Sequence, residues 1–247
     1  MNISVKVIKE KYLLCGKSDW GEEITELQVL KKINHPNFPR IVDAFEEDDQ
    51  KVLIMDFIYG VTLQEIIEKG PLEERKILSI GKQIGEAILY LHQYHPVLLY
   101  LDLKPSNIIV EENGKVKLID LGSVRRKGSR GDVSGSFGYA SPEQRKGEKE
   151  GSLLREESDI FSFGLVLYAM AVGNCRRLPM IEEDRKYGVF VRKDNPAISI
   201  GLERIIEKCT RGNCEKRYPS MREVMGEGFW KSVPEEIPLR DIAVCVK

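Results

Sequence analysis

Three oxygen-bearing side chains sit in an order that could handle a phosphoryl group: Asp102 and Asn107 of the run D-L-K-P-S-N, and, eighteen residues after that Asp, Asp120 of D-L-G. Phosphoryl transfer from a nucleotide asks little covalent chemistry of a protein. It needs a carboxylate to orient a hydroxyl nucleophile and oxygen ligands for the metal that neutralises phosphate charge. An isolated Asp followed by Leu-Lys-Pro is more often a solvated turn. Chemistry is indicated by the order and spacing of separate signals, each run sitting at the end of an apolar, strand-like stretch.

Such residues need elements to hold them. Ile3, Val5 and Val7 alternate with Ser4 and Lys6, a strand pattern that read alone is that of an exposed surface strand. Asp19 can cap a helix with Glu22 three residues later, and Ile24, Leu27, Leu30 and Ile33 follow at helical spacing. Glu26 adjoins Leu27, so it can flank the apolar face and reach inward, or remain an ordinary exposed helix Glu. Val52 to Phe57 is a short apolar run broken only by Asp56, and Ile58-Tyr59-Gly60 follows. Beyond it, Thr62 with Glu65 reads as a capping box and Gly70 as a stop; Pro71 is expected to open a longer helix running to about Gln93. Phe163 to Val172 is too short an apolar run to span a bilayer and is expected to be a buried helix after Asp159.

On these residues the chain resembles the eukaryotic-like serine/threonine protein kinases, from about Ile3 to about Met225. The resemblance implies an α+β, bilobal protein-kinase-like fold with a reduced, β-rich small lobe and a mainly helical large lobe. Its expected boundaries are 1–58 for the small lobe, 59–233 for the large lobe and 234–247 for a C-terminal tail. It implies that Asp102 is the catalytic base and that Asn107 and Asp120 bind Mg²⁺ or Mn²⁺. Lys6, in Ile3-Ser4-Val5-Lys6, would contact the phosphates of ATP and pair with Glu26. The backbones of Asp56 and Ile58 would bond the adenine edge, Met55 would stand behind it and Ile109 would form the floor. Lys104 points to Ser/Thr acceptors, since tyrosine kinases typically read D-L-A-A-R-N, and its ammonium would neutralise charge on the transferring group. Ser136 would bridge base and Lys. Ser141-Pro142-Glu143 stands for A-P-E, Asp159 to Gly164 fits D-x-W-x-x-G with Phe161 for Trp, and Arg217 is expected to form an ion pair with Glu143 that anchors the activation segment.

The sequence also departs from the family pattern. There is no G-x-G-x-x-G: the Lys strand begins at the third residue, so the edge of that strand would be left unpaired. Either another chain covers that edge or the native gene product is longer. Gly16-Lys17-Ser18 is not a Walker A motif, because position 11 is Lys, and the glycines from Gly128 to Gly138 lie within the activation segment. Tyr100-Leu101-Asp102 replaces H-R-D, so the Arg that receives an activation-loop phosphate is absent. Ser129, Ser134 and Ser136, beside the basic Arg125, Arg126, Lys127 and Arg130, would lack that receiver.

Composition agrees with a folded enzyme: 247 residues with 42% apolar content can bury a sizeable core. A formal charge of −1 gives no reason to invoke nucleic acid or a membrane surface. The five cysteines are odd in number and contain no C-x-x-C pair, which argues against a disulfide framework or zinc site and for a reducing cytoplasm. The N-terminus has no apolar signal core. The function expected is ATP-dependent phosphorylation of Ser/Thr hydroxyls on a protein substrate. The alternative is a non-catalytic pseudokinase that binds nucleotide or a partner, across the bare strand edge for instance. A kinase of small molecules fits Lys104 and the S-P-E segment less well.

Overall fold

A computed structural model describes residues 3–8, 31–47, 50–128, 138–146, 153–173, 178–182, 184–230, 233 and 236–242, with only the backbone described over 3–8. The elements are β1 (Ile3–Ile8), β2 (Ile41–Glu47), β3 (Gln50–Asp56), β4 (Val61–Thr62), α1 (Leu63–Ile67), α2 (Glu74–His92), β5 (Leu98–Leu99), β6 (Ile108–Val110), β7 (Val116–Leu118), β8 (Arg125–Arg126), α3 (Pro142–Lys146), α4 (Glu156–Val172), α5 (Ile200–Cys209), α6 (Met221–Gly226) and α7 (Leu239–Ile242). Mixed helix and sheet, with the strands in small sheets and the rest largely helical, is the α+β arrangement expected.

The first sheet is antiparallel in the order β1-β3-β2. Its central strand pairs Asp56 with Ile3 and Lys51 with Ile8 on one side, and Gln50 with Glu47 on the other. The expected helix over 19–33, with Glu26, lies outside the described residues apart from its last turn.

Helix α4 is the axis of the larger part. It is apolar on every side, and burial extends continuously from Ser158 to Ala171, as such a helix requires. Gly173, at φ +69, ends it in the left-handed conformation. The long α2 lays one apolar stripe against it, with Ile77, Ile80, Ile84, Ile88 and Leu91 all fully buried at spacings of three and four. Helix α5 packs on the other side through Leu202, Ile205, Ile206 and Cys209. Its N-cap Ser199 is held by the Glu74 carboxylate, to which it donates both N–H and Oγ at 2.6 Å.

The capping box at Thr62 and Glu65 forms as expected: Thr62 N–H donates to Glu65 Oε2 at 2.9 Å, and Glu65 N–H donates back to Thr62 Oγ1 at 3.2 Å. The start of α2 does not follow expectation. Pro71 is not its first residue; the helix opens at Glu74 with Glu73 as N-cap. The reason is tertiary. Leu72 is buried and donates its N–H to the Met170 carbonyl at 2.8 Å, which keeps the chain out of the helix for two residues past the proline.

One loop joins the two parts. Leu118 N–H donates to the Asn37 carbonyl and Asn37 Nδ2 donates to the Val116 carbonyl, both at 2.8 Å, so the turn at residues 36–38 is tied to the free side of β7. Buried Gln83 of α2 completes the join, accepting from Asn37 Nδ2 at 3.1 Å and from Val116 N–H at 2.8 Å. Lys117 adds a bond from Nζ to the Phe38 carbonyl at 3.1 Å. At the far end, Leu239 N–H bonds the Glu112 carbonyl at 2.9 Å, and Ile237 is buried against the core. Among the described residues, no helix is long and apolar enough to cross a membrane. Cys209 and Cys214 are free thiols.

Gly173→Ala tests the end of α4. A Cβ there would sit 2.2 Å from backbone atoms of Gly70 and Pro71, in a left-handed conformation that already disfavours L side chains. The variant is expected to lose about 2 kcal/mol or more of unfolding free energy, read from urea melts.

Candidate active site

The segment that carries Asp102 begins with the two residues of β5 and turns abruptly. Leu101 has φ +65, and Asp102 N–H bonds the Tyr100 carbonyl at 3.0 Å, which makes Leu101 the centre of a γ-turn of the rare, strained kind. A single carboxylate holds this turn. Fully buried Asp159, near the start of α4, accepts the Leu101 N–H on Oδ1 at 2.7 Å and the Tyr100 N–H on Oδ2 at 2.8 Å. His92, the last residue of α2, meets the same Oδ2 through Nε2 at 2.9 Å. The carbonyl of Leu101 is held as well, by Gln144 Nε2 at 2.9 Å.

Downstream of the turn the candidate residues converge. Lys104 Nζ lies 2.9 Å from Asp102 Oδ2, and Asn107 Nδ2 donates to that same oxygen and to the Asp102 carbonyl, each at 2.9 Å. The 3₁₀ turn Pro105–Asn107 sets this spacing, with Asn107 N–H closing on the Lys104 carbonyl at 3.0 Å. Both Asn107 side-chain bonds use its nitrogen, so the amide oxygen is the atom it can offer to a cation. Asp120 is brought to the same neighbourhood by β6 and β7: Ile119 N–H bonds the Asn107 carbonyl at 3.0 Å. Its Oδ1 accepts the Gly122 N–H at 2.9 Å, a side-chain turn that fixes the start of D-L-G. Tyr100 is buried beside these groups. Burial first, then the nearby Asp120 and Asp102 carboxylates, push its phenol far up, so it stays protonated.

Beside these residues β6 pairs antiparallel with β7 on one side and with β4 on the other. Ile108 and Val110 point down into the core, which turns Ile109 the other way, half-buried and paired with Lys117. Gly60, where the chain crosses between the two parts, lies against β6 so closely that a Cβ would stand 2.4 Å from the Val110 carbonyl oxygen and 2.6 Å from Ile109 Cγ2. Met55 is buried. Asp56 donates its N–H to the Arg40 carbonyl at 3.0 Å, so of its two backbone groups only the carbonyl can serve a ligand. Its carboxylate takes the Arg40 guanidinium at 3.0 Å on each oxygen, which lowers its pKa. Ile58 is half-buried beside exposed Phe57 and Tyr59. Lys6 lies opposite Leu53 in the sheet register, and Glu26 is outside the described residues.

The activation segment is described at its two ends. It starts by pairing β8 with β5, Arg125 opposite Leu99 and Arg126 opposite Leu98; Lys127 then bonds Glu156 at 2.8 Å. At its far end the expected pair forms: Arg217 donates from Nη1 and Nη2 to the two Glu143 oxygens at 2.7 and 2.9 Å, with its guanidinium carbon 4.8 Å from the centre of the Phe161 ring. Burial alone would raise the Glu143 pKa, but its bonds to Arg217 and Ser158 prevail and hold it below the ordinary range. Leu101, which stands where H-R-D has Arg, is buried with Leu99 and Leu154, so apolar packing fills that position. Ser129, Arg130, Ser134 and Ser136 are outside the described residues.

His92 and Gln144 are not singled out by the sequence, and Asp159 is visible there only as part of a pattern: Asp159 and Gln144 act on backbone groups that have no residue-type signature, and His92 acts on Asp159. The signal that could have found Asp159 is a carboxylate opening an otherwise apolar helix.

Residues 2–229 match the protein kinase domain family. The chain is 31% identical over 214 residues to the serine/threonine-protein kinase PrkC of Bacillus subtilis, covering 81% of this chain and 32% of that protein. It is 28% identical over 242 residues to a probable serine/threonine-protein kinase of Clostridium perfringens, covering 91% and 34%. With the probable serine/threonine-protein kinase PknB of Lactococcus lactis it shares 27% over 216 residues, covering 81% and 33%. The chain thus spans about a third of the length of these curated relatives.

Two substitutions test the supports. Asp159→Asn leaves one of the Tyr100 and Leu101 N–H groups facing a donor and is expected to lower unfolding free energy by about 2 kcal/mol or more in urea titrations. Arg217→Met leaves a buried carboxylate alone, at an expected cost of about 3–5 kcal/mol near neutral pH. Because the folded pKa of Glu143 lies below its ordinary 4.5, the pair stabilises the fold above that value and fades as pH falls through the folded pKa. The gap between wild type and Arg217→Met should therefore be widest near pH 7 and narrow on acidification.

Proposed function

The chain belongs to the eukaryotic-like serine/threonine protein kinase family, and on that premise we propose that it transfers the γ-phosphate of ATP to serine or threonine hydroxyls of a protein substrate. The observation that carries this reading is the Asp102 carboxylate, held between the Lys104 ammonium and the Asn107 amide at 2.9 Å each. A carboxylate fixed on one oxygen by two donors is oriented for a third contact, the acceptor hydroxyl whose proton it takes. Lys104, beside it, stabilises charge on the group in transit.

Asn107 and Asp120 offer an amide oxygen and a carboxylate, the hard donors that suit Mg²⁺ or Mn²⁺. A divalent cation bound there with ATP would neutralise the phosphate oxygens. Ile109 and the backbones of Asp56 and Ile58 take the adenine, and Lys6 with Glu26 positions the phosphates. The small lobe comprises 1–58 and the large lobe 59–233, and the β1 edge is where a partner chain would pair. Free Cys209 and Cys214 suit a reducing compartment such as the cytoplasm.

The test is transfer of labelled γ-phosphate from ATP, with Mg²⁺ or Mn²⁺, to the chain itself and to a generic basic protein. Asp102→Asn is expected to lower turnover by roughly 10² to 10⁴; unchanged turnover would remove Asp102 from the reaction. Asp120→Ala should lose Mg²⁺-dependent ATP binding in calorimetry while its melting temperature stays near wild type. A folded wild-type chain that transfers no label would leave the pseudokinase reading instead.

A further inference from the structure

The strained turn ahead of Asp102 is gripped from two sides. Asp159 holds its N–H groups from α4, and Gln144 holds the Leu101 carbonyl from α3. That carbonyl belongs to the peptide unit that leads directly into Asp102, so its direction sets where the Asp102 Cα and carboxylate lie. A γ-turn centred on a residue other than glycine relaxes unless its surroundings hold it. Gln144 is 1% exposed and is itself fixed: its Oε1 accepts from the Ser141 N–H and Oγ, both at 3.1 Å. One amide therefore links the end of the activation segment, at S-P-E, to the peptide preceding the candidate base.

We propose that Gln144 is a positioning residue for phosphoryl transfer, which sets the Asp102 carboxylate through the Leu101–Asp102 peptide and couples its placement to the seating of the activation segment. The role rests on the kinase reading above. Glu143, its neighbour, is tied to Arg217 and Ser158 and anchors the segment to the large lobe; Gln144 alone of the pair reaches the catalytic loop. Movement of the S-P-E turn would pull on Gln144 Oε1 and, through the rigid amide plane, release the Leu101 carbonyl.

The experiment combines amide hydrogen exchange of the full chain with steady-state kinetics. Gln144→Met keeps side-chain length and loses the amide's hydrogen bonds to Leu101 and Ser141; exchange at Leu101 to Leu103 should rise about tenfold while the amides of α4 keep wild-type rates. kcat should fall about tenfold with KM for ATP unchanged, because nucleotide contacts are left intact. Ser141→Ala keeps the Leu101 bond and should exchange like wild type over 101–103. Gln144→Glu keeps the acceptor for Ser141 but has a donor for Leu101 only when protonated, so its kcat relative to wild type should recover as pH falls. Wild-type exchange at 101–103 in Gln144→Met, wild-type kcat, or a uniform rise that includes α4 would each overturn the proposal. A wild-type chain without transfer would refute the kinase reading, and the exchange comparison would then decide the positioning role by itself.

Discussion

The buried carboxylate of Asp159 is the contact on which the rest of the site depends. It sits at 0% exposure and satisfies two backbone N–H groups and the ring of His92 at once, which is what allows a charge-bearing group to remain inside an apolar core. Without it, the turn at Leu101 would carry a strain of about 1–3 kcal/mol against two unsatisfied donors. The position of Asp102 is thus inherited from α4, the most continuously buried helix among the described residues.

Two ion pairs show how burial separates support from chemistry. Arg217 has no exposed side-chain surface and grips Glu143 with both of its terminal nitrogens, so the pair is dry, directional and costly to break. Lys104 meets Asp102 through one ammonium, and its side chain stays 23% exposed. A point charge on a flexible stem can exchange one anionic partner for another as a reaction proceeds, whereas a locked fork cannot. The first of these pairs ties the segment that contains Glu143 to the residue 217 region, and the second keeps its charge nearer to solvent.

Much of the site was readable because its chemistry resides in side chains. Asp102, Asn107 and Asp120 were marked by type and order, and Lys104 and the Glu143–Arg217 pair by resemblance to the family; the structure brings Lys104 and Asn107 to Asp102 and Arg217 to Glu143. The buried helix over 163–172 and the capping box at Thr62 were likewise visible as patterns of apolar and polar residues. What sequence could not supply was any contact ending on a backbone atom. The bonds from Asp159 and Gln144 to the Leu101 peptide, and from Leu72 to Met170, depend on which loop folds back beside which helix, and the misplaced start of α2 at Pro71 has the same origin. Leu101 shows a subtler case: its replacement of Arg predicted a lost phosphate receiver, but not that Leu99 and Leu154 would close over the vacated place.

Gly60 fixes how closely the chain passes β6. Its missing side chain lets the crossing strand rest directly on Val110 and Ile109, with less room between them than one methyl group requires. The approach of this segment to β6 is therefore set in large part by the Val110 backbone, which no rotamer change can adjust. Any bulk added at position 60 would act as a shim that pries the crossing segment away from β6.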